Sequence, residues 1–293
     1  VTRTDATALE LAYAPLSPWK APDGIQQNGR EAGPVQAMMD TSSALHLVWA
    51  DHPLGNPDGW EIVYARWKDT LLSRPVTLYT AKEGEIARQP AFLEDSRGRI
   101  HLVWSGGDQG QLFYSSVSAS EAGAATNWSS PVEIVSDQLV SWPQIGQDAS
   151  GALYVLYAVS YNAGRGVFLV RSNDGGRTWS APETVFNAEA AGWEAVDHPN
   201  LAVLPDGRLY AAWVSSSLPD TWPPKGIFYS ASSDQGATWS QPYTLAGAGF
   251  DWPRLVFAGG QLHFLSSESD GAGVGDPRTP PGGFRAATGL AVA

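Results

Sequence analysis

Ser172-Asn173-Asp174-Gly175-Gly176-Arg177-Thr178-Trp179 and Ser232-Ser233-Asp234-Gln235-Gly236-Ala237-Thr238-Trp239 both read Ser-x-Asp-x-Gly-x-Thr-Trp, 60 residues apart. The chemistry is that of a locked hairpin turn. An aspartate accepts hydrogen bonds from the N–H groups of its own turn, and a glycine takes a backbone position with φ > 0. The tryptophan then covers the apolar side of the hairpin. Ser172, Asp174, Gly176, Thr178 and Trp179, with Ser232, Asp234, Gly236, Thr238 and Trp239, are therefore structural residues. Looser copies fall at Ser118 to Trp128 and around Lys68 to Pro75. A Trp-Ser-x-Pro ending recurs in Trp128 to Pro131, Trp179 to Pro182 and Trp239 to Pro242.

Outward from these turns, the chain repeats. Prolines just inside short apolar runs occur at Pro34, Pro90, Pro143, Pro199 and Pro253, at intervals of 56, 53, 56 and 54 residues. Each is followed by a turn and a second apolar run: Leu45 to Trp49, Ile100 to Trp104, Leu153 to Tyr157, Leu209 to Trp213 and Leu262 to Leu265. A third run follows in Glu61 to Arg66, Gln111 to Ser116, Val167 to Ser172 and Ile227 to Ser232, and a fourth in Val132 to Val135 and Glu183 to Phe186. Period-2 alternation of β-branched and aromatic residues between Gly/Asp/Ser turns predicts antiparallel strands. No segment sustains a helical period.

Four strands in a unit of about 50 residues predict a β-propeller blade, and blades bury their faces only against one another. The expected fold is all-β: one propeller spanning residues 1–293, with about five four-stranded antiparallel blades and six as the alternative. Repeats start near 34, 90, 143, 199 and 253. Residues 1–33 are expected to hold a closing strand, Ala8 to Tyr13, and a linker. Phe284 to Val292 is expected as a third strand of the last blade, inside an irregular tail at 269–293. The ring would close by pairing strands from the two ends of the chain.

Composition narrows the function. A net charge of −12 opposes general affinity for nucleic acid or anionic lipid. No apolar run reaches the roughly 18 residues of a spanning helix, so no membrane insertion is expected. With no cysteine among 293 residues there is no disulfide, thiolate metal site or cysteine nucleophile. His46, His52, His101, His198 and His263 are too scattered for a zinc cluster, so neither metal nor cofactor is expected. Val1 to Asp5 lack the charged and apolar regions of a leader. A secreted or cell-surface bacterial protein whose leader is absent from this chain is expected, with a cytoplasmic one as the alternative.

The paired turns resemble the Asp boxes (BNR repeats) of sialidases and their relatives, over residues 34 to 267. That resemblance implies a propeller and places Asp174 and Asp234 away from any active face. A sialidase would also need an arginine triad, a tyrosine nucleophile with a glutamate beside it, and an acid/base aspartate. The matching positions read otherwise. Ala32-Gly33-Pro34 carries no arginine, His198 stands for the glutamate, and Val214 stands for a triad arginine. Phe250-Asp251-Trp252-Pro253 offers no tyrosine, and Asp58 alone fits the acid/base aspartate. The resemblance thus implies a sialidase-like fold without the sialidase set.

In a propeller the innermost strands face the channel, and ligands sit over its mouth. The residues around the repeated prolines include Arg88, Gln89, Trp142, Gln144, His198, Asn200, Trp252 and Arg254. Aromatic faces and amides of this kind bind sugars; alternatively, Trp142 and Trp252 plug the channel. Trp49, Trp104 and Trp213 share one register and are expected in the core, whereas Trp60, Trp193 and Trp222 lie on loops. The expected function is binding of a glycan or protein partner. The alternatives are a glycoside hydrolase or lyase, or a structural module of a larger extracellular assembly. A hydrolase would use carboxylates among Asp58, Glu194, Asp197 and Asp251 in pairs, and a lyase His198 as acid/base.

Overall fold

The computed structural model describes residues 29–56, 58–69, 71–136, 138–268 and the backbone of 284–290. The first sheet holds β1 (Arg30–Ala32), β2 (Gln36–Met39), β3 (Leu45–Pro53), β4 (Glu61–Lys68), β5 (Leu71–Leu72) and β6 (Val76–Thr80). The second holds β7 (Ile86–Glu94), β8 (Arg99–Gly107), β9 (Gln111–Ser118) and β10 (Val132–Val135). The third holds β11 (Ser141–Gln147), β12 (Leu153–Val159), β13 (Gly166–Ser172) and β14 (Glu183–Asn187). The fourth holds β15 (Ala195–Val203), β16 (Leu209–Ser216), β17 (Gly226–Ser232) and β18 (Tyr243–Ala246). In the fifth, β19 (Phe250–Ala258), β20 (Gln261–Glu268) and β21 (Phe284–Leu290) pair in order. All pairings are antiparallel, and apart from β1 with β3 and β4 with β6 they join chain neighbours, which is why each unit is legible as a run of hairpins.

Successive sheets stack face to face. Ile62 and Tyr64 of the first meet Ile100 and Trp104 of the second, and Tyr114 of the second meets Val155 and Tyr157 of the third. Leu156 and Leu169 meet Trp213, and Val214 and Ile227 meet Leu255 and Phe264. Fully burying one such Leu or Ile is worth about 1.5–3 kcal/mol, and β12 and β16 are buried along their whole length. The first strands of neighbouring sheets touch each other, β2 with β7, β7 with β11, β11 with β15 and β15 with β19. They are therefore innermost, and the architecture is a β-propeller.

Three local readings change. Arg30–Ala32, expected in a linker, is a strand paired with β3. The segment after Ser118 is not a tight turn: two 3-10 helices, Ala119–Glu121 and Ala125–Asn127, fill it. Trp128 nevertheless donates its Nε1–H to Ala122 O at 3.0 Å, as Trp179 does to Gly176 O at 3.3 Å. Around Lys68 to Pro75 the added strand β5 takes the place of an Asp-box turn. The expected closing strand Ala8 to Tyr13 lies outside the described residues.

Strand direction separates the two ends of the propeller. The first-to-second and third-to-fourth strand turns share one end; the second-to-third strand loops lie at the other. Both Asp boxes sit at the first end. Asp174 Oδ1 accepts from Arg177 N–H and Thr178 N–H, and Oδ2 accepts from the Thr178 hydroxyl. The first-to-second turns carry a related device. Asp95 Oδ1 accepts the Arg97 and Arg99 N–H groups, while its Oδ2 meets His101 Nε2 at 3.2 Å. His101 Nδ1 reaches the Tyr114 hydroxyl at 2.7 Å, and Asp40, His46 and Tyr64 repeat the relay one sheet earlier.

Candidate functional site

Proline has no N–H to give a ladder, and it recurs near the start of each innermost strand. There the strand bulges. Register with the second strand slips between Arg88 and Ala91, Ser141 and Gln144, Asp197 and Asn200, and Asp251 and Arg254. At each slip the residue before the proline takes positive φ: Gln89 55°, Trp142 51°, His198 47° and Trp252 52°. Such a backbone costs a non-glycine residue about 1–2 kcal/mol, so four strained positions in one register need compensation. Two find it locally: Asp197 Oδ1 accepts the His198 N–H at 3.0 Å, and Asp251 Oδ1 the Trp252 N–H at 2.6 Å. The Trp142 N–H is taken across the sheet boundary by Gln89 Oε1 at 2.9 Å.

The bulges turn three rings from three sheets onto one another. His198 stacks on Trp252 at 3.7 Å and 18°. Trp142 meets both edge-on, at 5.1 Å from each. The rings close the floor of the mouth together, yet each remains partly exposed. Asp251, 6% exposed, receives the His198 Nδ1–H at 2.6 Å. That bond fixes the imidazole's orientation and leaves Nε2 turned toward Asp197, whose Oδ2 is 3.9 Å away. The Asp197 carboxyl keeps 33% of its surface. Desolvation raises its pKa, opposed by His198 and the Ser160 hydroxyl, with Asp251 adding to the rise.

Beside this floor lies a cleft of about 190 Å³ between the first and second sheets, lined by Glu31, His52, Trp60, Arg88 and Gln89 among others. The His52 and Trp60 rings are 4.2 Å apart. His52 Nδ1 lies 3.1 Å from Pro53 O and 3.0 Å from Asn56 O, which places its proton there. Nε2 then faces Glu31 Oε2 at 3.8 Å. Gln89 belongs both to the cleft and to the Trp142 bond, so cleft and floor are contiguous.

The expected residues divide. Trp142, His198, Trp252, Asp197 and Asp251 converge, Gln89 joins them, and Arg88 is exposed in the cleft. Asn200 is 6% exposed and its amide is engaged inside the wall, donating to Gln144 Oε1 and accepting Leu255 N–H. Arg254 is exposed on β19, just past the bulge. Asp58 joins neither group: its carboxylate holds Gly84 N–H at 2.9 Å. Glu194 pairs with Lys225 at 3.0 Å. Sequence reasoning missed Glu31 and His52, which lie in β1 and near the end of β3 without any motif around them; Trp60 was visible only as a loop tryptophan. Among the described residues no group of three or more His, Asp or Glu side chains is gathered to hold a metal ion, and no helix is long and apolar enough to cross a membrane.

Residues 87–250 match the family model described as a BNR repeat-containing family member. No curated protein matches the chain. A protein of unknown function from Dyadobacter fermentans superposes with a TM-score of 0.61 at 14% identity, over 83% of this chain and 76% of that one. An endo-arabinase from Bacteroides thetaiotaomicron superposes at 0.54 and 16% identity, over 86% and 92%. A sialidase from Streptococcus pneumoniae gives 0.58 and 11% identity, over 85% of this chain and 58% of its own. At these identities the likeness is one of fold.

Proposed function

This chain belongs to the BNR repeat-containing family, and from that premise we propose that it binds a glycan over the mouth of the propeller without being a sialidase. The observation that carries this is the convergence of Trp142, His198 and Trp252 with Asp197 and Asp251 beside an open cleft. Aromatic faces stack on sugar rings, while carboxylates, amides and Arg88 bond hydroxyl groups. Secretion or display on a bacterial cell surface accompanies the reading. So does a closed ring of five blades, with the ends of the chain completing the fifth.

A glycan array with the intact protein tests it, followed by mass spectrometry of each hit for released product. Binding should weaken about tenfold or more in Trp60→Ala and Arg88→Ala, which lie in the cleft, and in Trp252→Ala. Retained affinity in all three would remove the site from the mouth. Saturable capture of a protein with no glycan hit would favour a protein partner.

The Asp251–His198–Asp197 arrangement favours one second reading, an enzyme acting on the bound glycan. His198 Nε2 would take a proton and Asp197 would deliver one, a division set by environment as in other acid/base pairs. Product release abolished by His198→Ala and by Asp197→Asn, with binding kept, would support it. Binding without release leaves a lectin-like propeller.

A further inference from the structure

At the mouth end, on the side away from the cleft, two loops present large rings to solvent. Tyr161, in the β12–β13 loop, is 60% exposed, and Trp222, in the β16–β17 loop, is 48% exposed. Neither contacts another aromatic ring or holds a side-chain hydrogen bond among the described residues. Both loops join a second strand to a third, so they stand at the same end of the molecule as the Trp142–His198–Trp252 floor.

The loops that carry them are pinned, both to the segment leading into β15. Ser160, next to Tyr161, donates its hydroxyl to Asp197 and its carbonyl accepts Val196 N–H at 2.9 Å. Gly164 N–H goes to Glu189 at 2.9 Å, and Arg165 Nε–H to Trp193 O at 2.6 Å. On the other side, Glu194 Oε2 accepts Leu218 N–H at 3.3 Å and Lys225 Nζ at 3.0 Å. Lys225 N–H is itself fixed to Ser215 O at 2.7 Å. Both loops are therefore anchored to the stretch from Glu189 to Asp197, and a platform held this way loses little entropy on binding.

Charge on this side is acidic. Arg165 is spent on Glu189 at 3.4 Å and Lys225 on Glu194. Asp197 and Asp220 add carboxylates among the same loops and strand. Such a surface repels a polyanion and suits an uncharged ligand. The cleft at the first and second sheets is about 190 Å³, below the roughly 300–1,000 Å³ of typical ligand pockets, so a ledge across the floor from it extends the site.

Building on the mouth reading, we propose that Tyr161 and Trp222 form a second aromatic ledge, and that the ligand is a neutral oligosaccharide running from the cleft across the Trp142–His198–Trp252 floor to this ledge. Its middle units would pass over Asp197.

The test is calorimetry of the full chain with α-1,5-arabino-, β-1,4-xylo- and β-1,4-gluco-oligosaccharides of one to eight units, and galacturono-oligosaccharides of the same lengths. One neutral series should gain affinity with length and then plateau. Tyr161→Ala and Trp222→Ala should weaken its longest members about tenfold and leave the shortest binder within about twofold. The two positions are exposed, so thermal unfolding of the variants should match the parent. Length-independent binding, or tighter binding of the galacturonate series, overturns the ledge while leaving the glycan-array result intact. No binding in any neutral series overturns it too, and an empty array removes the mouth reading with it.

Discussion

Asp197 ends the regular pairing of β15 with β16 at the bulge, and its environment raises its carboxyl pKa, chiefly by desolvation. The sign of the consequence is definite. A carboxyl whose folded pKa exceeds the unfolded value of about 3.9 favours folding at pH below that value, and the contribution is lost as pH rises through the folded pKa. At pH above the unfolded pKa this carboxyl thus opposes stability. Asn at this position still offers an oxygen to the Ser160 hydroxyl and the His198 N–H. Asp197→Asn should therefore melt at or above the parent temperature at pH 7, and the difference should shrink as pH falls to about 3, followed by scanning calorimetry. A lower melting temperature at pH 7 would make the carboxylate structural.

The Asp-box hairpins show how much an element can say for itself. Asp174, Thr178 and the first box were legible because every bond of the lock lies within a few residues of sequence. What Gly176 and Gly236 touch was not. A Cβ on Gly176 would land on the Tyr114 hydroxyl of the preceding sheet, and one on Gly236 on the Leu169 side chain. Gly175, at φ 74°, has nothing within 4 Å. Gly175→Ala should then cost only the backbone penalty, about 1–2 kcal/mol, while Gly176→Ala should cost about 3 kcal/mol or more. Thermal unfolding of the two variants decides, and equal losses would remove the close approach from the account. The box also has an acid limit. The Thr178 contacts hold Asp174 well below the usual carboxylate range, and the Thr238 contacts hold Asp234 at about 2. A depressed carboxyl stabilises above the unfolded pKa and loses that contribution as pH falls through the folded one. Asp234→Asn should be less stable than the parent at pH 7, and the gap should close between pH 4 and 2.

Over the whole molecule, stability is carried by layers between neighbouring sheets, so protection should vary by sheet. The strands β12 and β16 are fully buried, whereas β2 alternates between partly buried and exposed and β5 is exposed. In hydrogen exchange read by mass spectrometry, amides of β12 and β16 should exchange slowest and those of β2 and β5 fastest. Uniform protection across the sheets would mean that the ring opens only as one unit.

The amino-acid sequence by itself determined the all-β repeat, the strand segments other than β1, β5, β6 and β18, and the locked Asp-box turns. Period-2 burial and a turn's own hydrogen bonds are local, and residue types encode local structure directly. Only the tertiary structure decided the mouth. Nothing about Gln89, Trp142, His198 or Trp252 as residue types predicts a positive φ; the slip in register against the second strand imposes it. That slip turns side chains more than 50 residues apart onto one another. The cleft likewise exists because the first and second sheets pack against each other, bringing Glu31, His52 and Trp60 to Arg88. A site assembled from several sheets is a property of their packing, and no single stretch of the chain carries it.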